Sequence, residues 1–404
     1  MEKEKWLSLG SDVVCLARAA LHEMPLPKEK ILKMDLEGIQ RMARYHSMDA
    51  IVYLSLKQIV DQNNEEINEK IDTNVYKKLE NIYRKTVWRS VAFDCEREAI
   101  LEFFKENGIW YLCLKGIALQ EDYPKLGMRQ MADNDILFDK RHGRALRRFM
   151  EARGYKTLSF EKGCHDTYQK DGLTFEMHRT LLPESKENKP VICGLCEILD
   201  QTRRAATSLE WHFSKEHFYI YFVIHTHKHF ESAGCGIRSL MDIYVYTRKH
   251  ASELDFAYID AFFSRIGLSD FEKSLRLLSY KLFEKSDADA EKLLAQLSDE
   301  ERALLLYFVS AGTFGTEALL VKNGLLRLSR EEKITAFVKL KYVFTRLFPP
   351  FSHYKSAHPH LYKWIIPIPF LWLSRLFSIF TRRTRISREL KNLRNAGEQI
   401  KPKE

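Results

Sequence analysis

The spacing of hydrophobic and polar residues divides the chain into a helical start, a central region of strands and a longer helical remainder. Apolar residues recur at helical spacing through residues 13–22, 36–56 and 90–107, where Gly108 follows as a C-terminal cap. Short apolar or alternating runs replace this spacing from residue 109 to 178, and helical spacing returns beyond about residue 200. The pattern therefore predicts an α+β fold, a small sheet with helices, flanked by N- and C-terminal helical segments.

The central region is predicted to contain five strands, at residues 109–114, 133–138, 155–160, 164–169 and 173–178. A short helix over 116–123 stops at Pro124, and a longer helix runs from a cap at Asp139 to Arg153.

The dipeptide Asp171-Gly172 predicts a tight hairpin between the last two strands. With these residues in the turn, the cross-strand pairs on one face are Gln169–Thr174, Thr167–Glu176 and His165–His178. The opposite face is apolar, with Tyr168, Leu173, Phe175 and Met177. A polar face of this kind is either an active site or an ordinary solvent-exposed face, and acidic residues on the preceding strand favour the active site.

Asp133 and Asp135 are those acidic residues, and in an extended strand both side chains project from one face. Two carboxylates so placed repel each other unless a cation lies between them, so we expect a divalent metal there with Glu176 as a third ligand. Lys115 and Gly116 stand at a strand-to-helix turn, where the amides of Gly116 and Ile117 can face phosphate oxygens. Lys115 either adds charge to such a site or is simply solvated.

Composition limits the alternatives. The 404 residues suffice for two or three compact units. The formal charge is +9, but residues 375–404 hold nine basic and three acidic residues, which leaves +3 for the rest of the chain. A nucleic-acid partner is therefore not expected.

Seven cysteines and the absence of a signal-peptide pattern predict a reducing, cytoplasmic setting. Cys193 and Cys196 form a lone CxxC, for which two buried thiols are favoured over a zinc or redox site.

The order of these motifs resembles the polymerase-β-like nucleotidyltransferase superfamily, and more closely its family of uncharacterised bacterial nucleotidyltransferases. The matching positions are Leu114-Lys115-Gly116, Tyr123-Pro124, Arg129, Asp133-Asn134-Asp135, Gly154-Tyr155, Phe175-Glu176-Met177-His178, His225, His229 and Asp242. The sequence departs from the family pattern at Asn134, where an aliphatic residue is usual, and at Glu176, where the acid is usually Asp. Neither change removes a metal ligand.

The resemblance implies an enzyme that uses Mg²⁺ or Mn²⁺ to move a nucleoside monophosphate from a triphosphate, with ATP favoured, to a hydroxyl group while pyrophosphate leaves. The acceptor would be a small molecule, a glycan precursor or a protein. The alternative is a non-catalytic partner-binding protein on the same core, such as an antitoxin-like module. The implied organisation is an N-terminal helical segment (1–87), a nucleotidyltransferase core (88–190), a C-terminal helical domain (191–350) and a tail (351–404).

In this interpretation Asp133, Asp135 and Glu176 are catalytic metal ligands, and Lys115, Gly116 and Arg129 bind the nucleotide. Arg129 could instead be a structural counter-charge. His165, His178, His225 and His229 are expected beside the ligands, although helix packing is favoured for the last two because no zinc motif accompanies them. Asp242 is expected to pair with Arg238, four residues earlier.

The stretch 364–380 is apolar but contains two prolines and Arg375, so it is too short and interrupted to span a membrane. It either contacts a membrane surface or packs on the helical domain, and packing of Trp364, Ile366, Phe370 and Leu373 is favoured.

Overall fold

The computed structural model describes residues 2–62, 71, 73–183, 188–329, 334–348, 372, 388, 389 and 391–394. The predictions for Trp364, Ile366, Phe370 and Leu373 in the tail lie outside these residues. None of the described helices combines the length and the apolar run that crossing a bilayer requires.

Five strands form one mixed sheet at the centre of the chain. They are β1 (Tyr111–Cys113), β2 (Asn134–Phe138), β3 (Lys156–Ser159), β4 (His165–Lys170) and β5 (Leu173–His178), in the spatial order β1-β2-β5-β4-β3. β2 and β5 are parallel, and the other neighbouring pairs are antiparallel. The α+β prediction is confirmed, and the hairpin has the predicted cross-strand pairs.

Helices surround this sheet in sequence and in space. Those before and within it are α1 (Glu2–Leu21), α2 (Lys28–Ile31), α3 (Leu36–Tyr45), α4 (Asp49–Val60), α5 (Thr73–Glu106), α6 (Lys115–Gln120) and α7 (Gly143–Ala152). Those after it are α8 (Lys189–Ala205), α9 (Lys215–Phe230), α10 (Ile237–Lys249), α11 (Phe256–Arg265), α12 (Ser269–Phe283), α13 (Ala290–Ala295), α14 (Asp299–Ala311), α15 (Glu317–Leu328) and α16 (Ala336–Leu347).

One face of the sheet packs against α5 and α7 through a compact aromatic core. Phe104 of α5 stacks on Phe138 of β2, and Phe93 of α5 meets Phe175 of β5 edge to face. Leu146 and Met150 of α7 complete this layer. The apolar side of the hairpin is therefore a core face, as its sequence pattern predicts.

The other face of β1 and β2 joins a larger core made by the N- and C-terminal helices together. Leu112 and Leu137 belong to the same hydrophobic cluster as buried residues of α1, α4, α9, α10, α12 and α14. α5 runs without interruption through residue 87, which was predicted to end the N-terminal segment. The domain limits remain a prediction, because helices assigned to different segments share this core.

Asp139 caps a shorter element than predicted. Its carboxylate accepts a hydrogen bond from the Arg141 amide and begins a single 3₁₀ turn, Lys140–His142, before α7 starts. The predicted helix from Asp139 to Arg153 is therefore two elements.

Candidate active site

Two parallel strands bring Asp135 and Glu176 side by side. Asp135 is the register partner of Glu176, and Leu137 is that of His178. Because side chains alternate along a strand, these four project from the face opposite the aromatic core. The antiparallel partner β4 adds Thr167 beside Glu176, and it places His165 beside His178.

Asp135 lies at the centre of the polar contacts on this face. Its Oδ1 accepts a hydrogen bond from Nε2 of His178 at 2.8 Å, and its Oδ2 lies 3.1 Å from Nζ of Lys115. The Asp135 side chain is 2% exposed and that of Lys115 is 16% exposed, so this ion pair is largely shielded from water. The predicted lysine contributes charge at this site rather than being solvated.

Glu176 has more distant charged partners than Asp135, and its pKa is shifted in the opposite direction. Its Oε2 is 3.5 Å from Nε2 of His165 and 3.8 Å from Nε2 of His178. Burial, followed by the charges of Asp135 and Asp133, raises the pKa of Glu176 to about 8. Burial also opposes ionisation of Asp135, but Lys115 and His178 hold its pKa well below the ordinary value.

Asp133 precedes β2 and completes the acidic group. Burial and then the carboxylate of Asp135 raise the pKa of Asp133, and Asp133 in turn acts on Glu176. Asp133 is not in the group of potential ligands formed by Asp135, Glu176 and His178, whose ligand atoms lie within 4.8 Å of one another. Three mutually repelling carboxylates beside one lysine favour an additional cation.

The donor set fits the predicted Mg²⁺ or Mn²⁺. These hard cations prefer carboxylate oxygens, and Asp133, Asp135 and Glu176 would supply them. The raised pKa of Glu176 shows that the site disfavours a third negative charge when no metal neutralises it.

The turn between β1 and α6 is narrow and strained. Lys115 has φ +25°, a conformation that costs energy for a residue with a side chain. A Cβ added to Gly116 would lie 3.0 Å from the sulfur of Met131 and 3.1 Å from Nη1 of Arg129. The amide of Ile117 already donates to the carbonyl of Leu114 at 3.3 Å. Nucleotide contacts by Lys115 and Gly116 remain a prediction.

Arg129 lies behind this turn with a partner that the sequence analysis did not assign. Its Nε and Nη2 donate to the two carboxylate oxygens of Asp242 at 2.8 and 3.0 Å, and Tyr123 donates to the same carboxylate at 2.7 Å. The predicted pairing of Asp242 with Arg238 is wrong, since Arg238 donates to the carbonyl of Gln130. Binding of nucleotide by Arg129 stays a prediction, and the structural role is the one visible here.

Asn134 departs from the family pattern, and its surroundings explain how the fold accepts it. Its side chain points away from the carboxylates, and its Oδ1 accepts a hydrogen bond from Nη1 of Arg97 on α5 at 3.0 Å. The change therefore alters the contact between sheet and helix, not the metal ligands.

Helix α9 carries two histidines, His225 and His229, whose pKa values respond to burial and then to nearby charges that include Lys115 and Asp135. Nε2 of His225 and Nε2 of His229 are 3.2 Å apart. Burial and then the charge of Lys115 lower the pKa of His225, while burial and then Lys228 lower that of His229 to about 4. His227 points elsewhere, against Phe271. Both predicted histidines thus lie within electrostatic reach of Lys115 and are uncharged.

The sequence analysis missed Tyr221 and Cys164. Tyr221 is one helical turn before His225, and the charges acting most on its hydroxyl are those of Asp135 and Cys164. Helical spacing counted back from His225 would have found it. Cys164 directly precedes His165, and extending the hairpin register by one residue would have drawn attention to it.

Two features near the site differ from the sequence predictions or were not predicted. Cys193 and Cys196 were expected to be buried, but both thiols are exposed on α8. A cavity of about 430 Å³ lies at the far end of β2 and β5. Its lining includes Trp110, Leu137, Arg179, Leu182 and Leu195. Leu137, which lines the cavity, is two residues beyond Asp135 on the same face of β2, but none of the three carboxylates is among the lining residues.

Comparison with known proteins identifies the family to which the chain belongs. No curated protein and no solved structure matches the chain. A family model described as an uncharacterised nucleotidyltransferase matches residues 33–284, which is more than half of the chain and includes every predicted site residue. The match supports transfer of nucleotidyl groups as the class of reaction. The chain belongs to the family of uncharacterised nucleotidyltransferases.

Proposed function

We propose that this protein transfers a nucleoside monophosphate from a nucleoside triphosphate, with ATP favoured, to a hydroxyl acceptor in a reaction that depends on Mg²⁺ or Mn²⁺. The observation that carries the proposal is the parallel pairing of β2 with β5. It sets Asp135 and Glu176 at the same level. Asp133 lies just before them, and Lys115 is 3.1 Å from Asp135.

The residues have distinct roles in this proposal. Asp133, Asp135 and Glu176 hold the divalent metal, which when bound neutralises charge on the phosphates. His178 donates to Asp135 and fixes the orientation of that carboxylate. Lys115 lies 3.1 Å from Asp135 and would add positive charge toward the phosphate oxygens of the nucleotide.

The bond changes follow from the reaction class. The acceptor oxygen forms a bond to the α-phosphorus, and the bond from that phosphorus to the bridging oxygen of the β-phosphate breaks. Pyrophosphate leaves with the electron pair of the broken bond, and the acceptor proton passes to Glu176 or to solvent.

The proposed path of the acceptor follows from the cavity at the end of β2. We propose that it approaches along β2 from the cavity beside Leu137, where Trp110, Leu182 and Leu195 offer an apolar surface and Arg179 a positive charge. Small molecules, glycan precursors and protein segments are all compatible with this setting.

Calorimetry with ATP tests the metal-dependent part of the proposal without knowledge of the acceptor. We expect the wild type to bind ATP in the presence of Mg²⁺ and to lose at least tenfold in affinity when the metal is chelated. Glu176→Gln should weaken the Mg²⁺-dependent part of the affinity. The matched control is Glu197→Gln, which changes an exposed glutamate on α8. Equal affinity with and without metal would favour the non-catalytic, partner-binding alternative.

A further inference from the structure

A second group of potential metal ligands lies beside the carboxylates, at the start of β4 and the end of β5. It consists of Cys164, His165 and His178, whose ligand atoms all lie within 4.8 Å of one another. Cys164 is held next to the end of β5 because its carbonyl accepts a hydrogen bond from the Arg179 amide at 2.8 Å. The cluster is therefore fixed by the same strand pairing that forms the candidate active site.

One ring nitrogen of His178 forms a hydrogen bond, and the other has no partner among the described residues. Its Nε2 donates to Asp135 at 2.8 Å, so in the neutral ring the lone pair resides on Nδ1. That Nδ1 is buried and has no hydrogen-bond partner in the part of the chain that the structure describes. A buried nitrogen without a partner is costly, and a metal ion satisfies it. A histidine oriented by a carboxylate through its other nitrogen is also the usual arrangement at zinc.

His165 repeats this arrangement with a different carboxylate. Its Nε2 faces Oε2 of Glu176 at 3.5 Å, while its Nδ1 is 3.5 Å from Sγ of Cys164. In a tetrahedral zinc site with a Zn–S bond of about 2.3 Å and a Zn–N bond of about 2.0 Å, sulfur and nitrogen ligands are about 3.5 Å apart. The Cys164–His165 separation therefore already has the length of one edge of such a site.

We propose that Cys164, His165 and His178 bind a Zn²⁺ ion, distinct from the Mg²⁺ or Mn²⁺ of the carboxylate group. One thiolate and two imidazoles suit zinc and do not suit hard cations, which prefer oxygen. Three protein ligands leave a fourth position for water. The site would fix the ring of His178, and through it the orientation of Asp135.

This proposal stands on its own observations and does not need the proposed transfer reaction. Its two nearest rivals are a zinc site at Cys193 and Cys196, and adventitious zinc on surface histidines. A thiolate ligand distinguishes them, because cobalt(II) bound to a thiolate has an intense sulfur-to-metal charge-transfer absorption that cobalt on histidine or carboxylate lacks.

The test is titration of the metal-free full-length protein with Co²⁺, followed by displacement with Zn²⁺. We expect one equivalent of Co²⁺ to produce the thiolate band and one equivalent of Zn²⁺ to abolish it. Cys164→Ser should lose the band, whereas the control Cys193→Ser/Cys196→Ser should keep it. The proposal is overturned by the absence of the band in the wild type, by its persistence in Cys164→Ser, or by its loss in the control.

A second variant separates loss of the site from loss of the fold. His165→Asn retains the thiol, and its circular dichroism should match the wild type, but its affinity for Co²⁺ should fall at least tenfold. Unchanged affinity in this variant would also contradict the proposal. Asp133→Asn touches none of the three ligands and should keep the band. If Asp133→Asn loses nucleotidyl transfer but keeps the band, that loss is caused by the carboxylate site and not by the zinc site.

Discussion

Asp133 lies just before β2 and Asp135 lies within it, and the charges of these two carboxylates are balanced differently. Asp135 has an ion pair with Lys115 and a hydrogen bond from His178, whereas burial and the neighbouring carboxylate raise the pKa of Asp133. In the metal-free protein, the charge on Asp135 therefore stabilises the fold, and the charge on Asp133 destabilises it. The proposed metal site needs both carboxylates. The stability of the metal-free protein, in contrast, depends on the charge of Asp135 and is reduced by that of Asp133.

We predict that Asp133→Asn preserves or slightly raises the free energy of unfolding of the metal-free protein, because one repulsive charge is removed. Asp135→Asn should lower it by about 2–3 kcal/mol, because the ammonium of Lys115 loses its partner. Urea denaturation in the presence of a chelator measures both. Equal losses in the two variants would show that the charge balance described above is wrong.

Arg129 and Asp242 form a buried ion pair behind the site, and the Tyr123 hydroxyl donates a hydrogen bond to the same carboxylate. The side chains of Arg129 and Asp242 are 8% and 4% exposed. Asp242→Asn is expected to lower the free energy of unfolding by roughly 3–5 kcal/mol, because the Arg129 charge is left buried without a counter-charge.

The matched control for this prediction is Asp260→Asn, which removes one partner of a surface ion pair with Arg276. It should cost less than about 1 kcal/mol. Denaturation of both variants under the same conditions gives the comparison. A loss at Asp242 as small as that at Asp260 would mean that the buried pair does not hold α10 against the loop before β2.

At the level of secondary-structure elements, the sequence predicts contacts between residues that are close together in the chain. The hairpin register follows from the two-residue turn at Asp171-Gly172 and from alternation along β4 and β5, and the structure has the predicted pairs. The parallel direction of β2 and β5 was not predicted, because a helix and two further strands, β3 and β4, separate them along the chain. Asp242 was assigned to its helical neighbour because spacing cannot reveal Arg129, which is 113 residues away.

Helices α3, α10 and α14 meet at one buried histidine. Nδ1 of His46 accepts a hydrogen bond from the Ile237 amide at 3.2 Å, and its Nε2 donates to the Val309 carbonyl at 3.1 Å. Burial lowers the pKa of His46 to about 4 from 6.5. In the unfolded chain the ring protonates near pH 6.5, so folding stability contributed by the neutral ring is present above that pH. It is lost as the pH falls from about 6.5 to 4.

We predict that this single group makes the wild type up to about 3 kcal/mol less stable at pH 4 than at pH 7. His46→Gln removes the titrating ring and should flatten that part of the profile, whatever other groups contribute. His212→Gln is the control, because His212 is exposed. Free energies of unfolding measured at several pH values decide the matter. Parallel profiles for the wild type and His46→Gln would contradict the assignment.

At the level of the whole molecule, the helical segments at the two ends of the chain share one core, which also contains Leu112 of β1 and Leu137 of β2. α1 packs on α4 as well as on α12, α13 and α14, so residues far apart in sequence stabilise each other. Periodicity identified these helices, but it could not show which of them touch, because an amphipathic face specifies only that it is buried. The α9 face that carries His225 and His229 is therefore placed by contacts throughout the molecule.

The central claim is that the carboxylate group formed by β2 and β5 transfers a nucleoside monophosphate. The most direct measurement incubates the purified protein, Mg²⁺ and cell extract with ATP labelled at the α-phosphate or, separately, at the γ-phosphate. We expect label from the α-phosphate to become attached to an acceptor, label from the γ-phosphate to be released in pyrophosphate, and Asp133→Asn to abolish both. Attachment of the γ-label, or undiminished α-label transfer by Asp133→Asn, would contradict it.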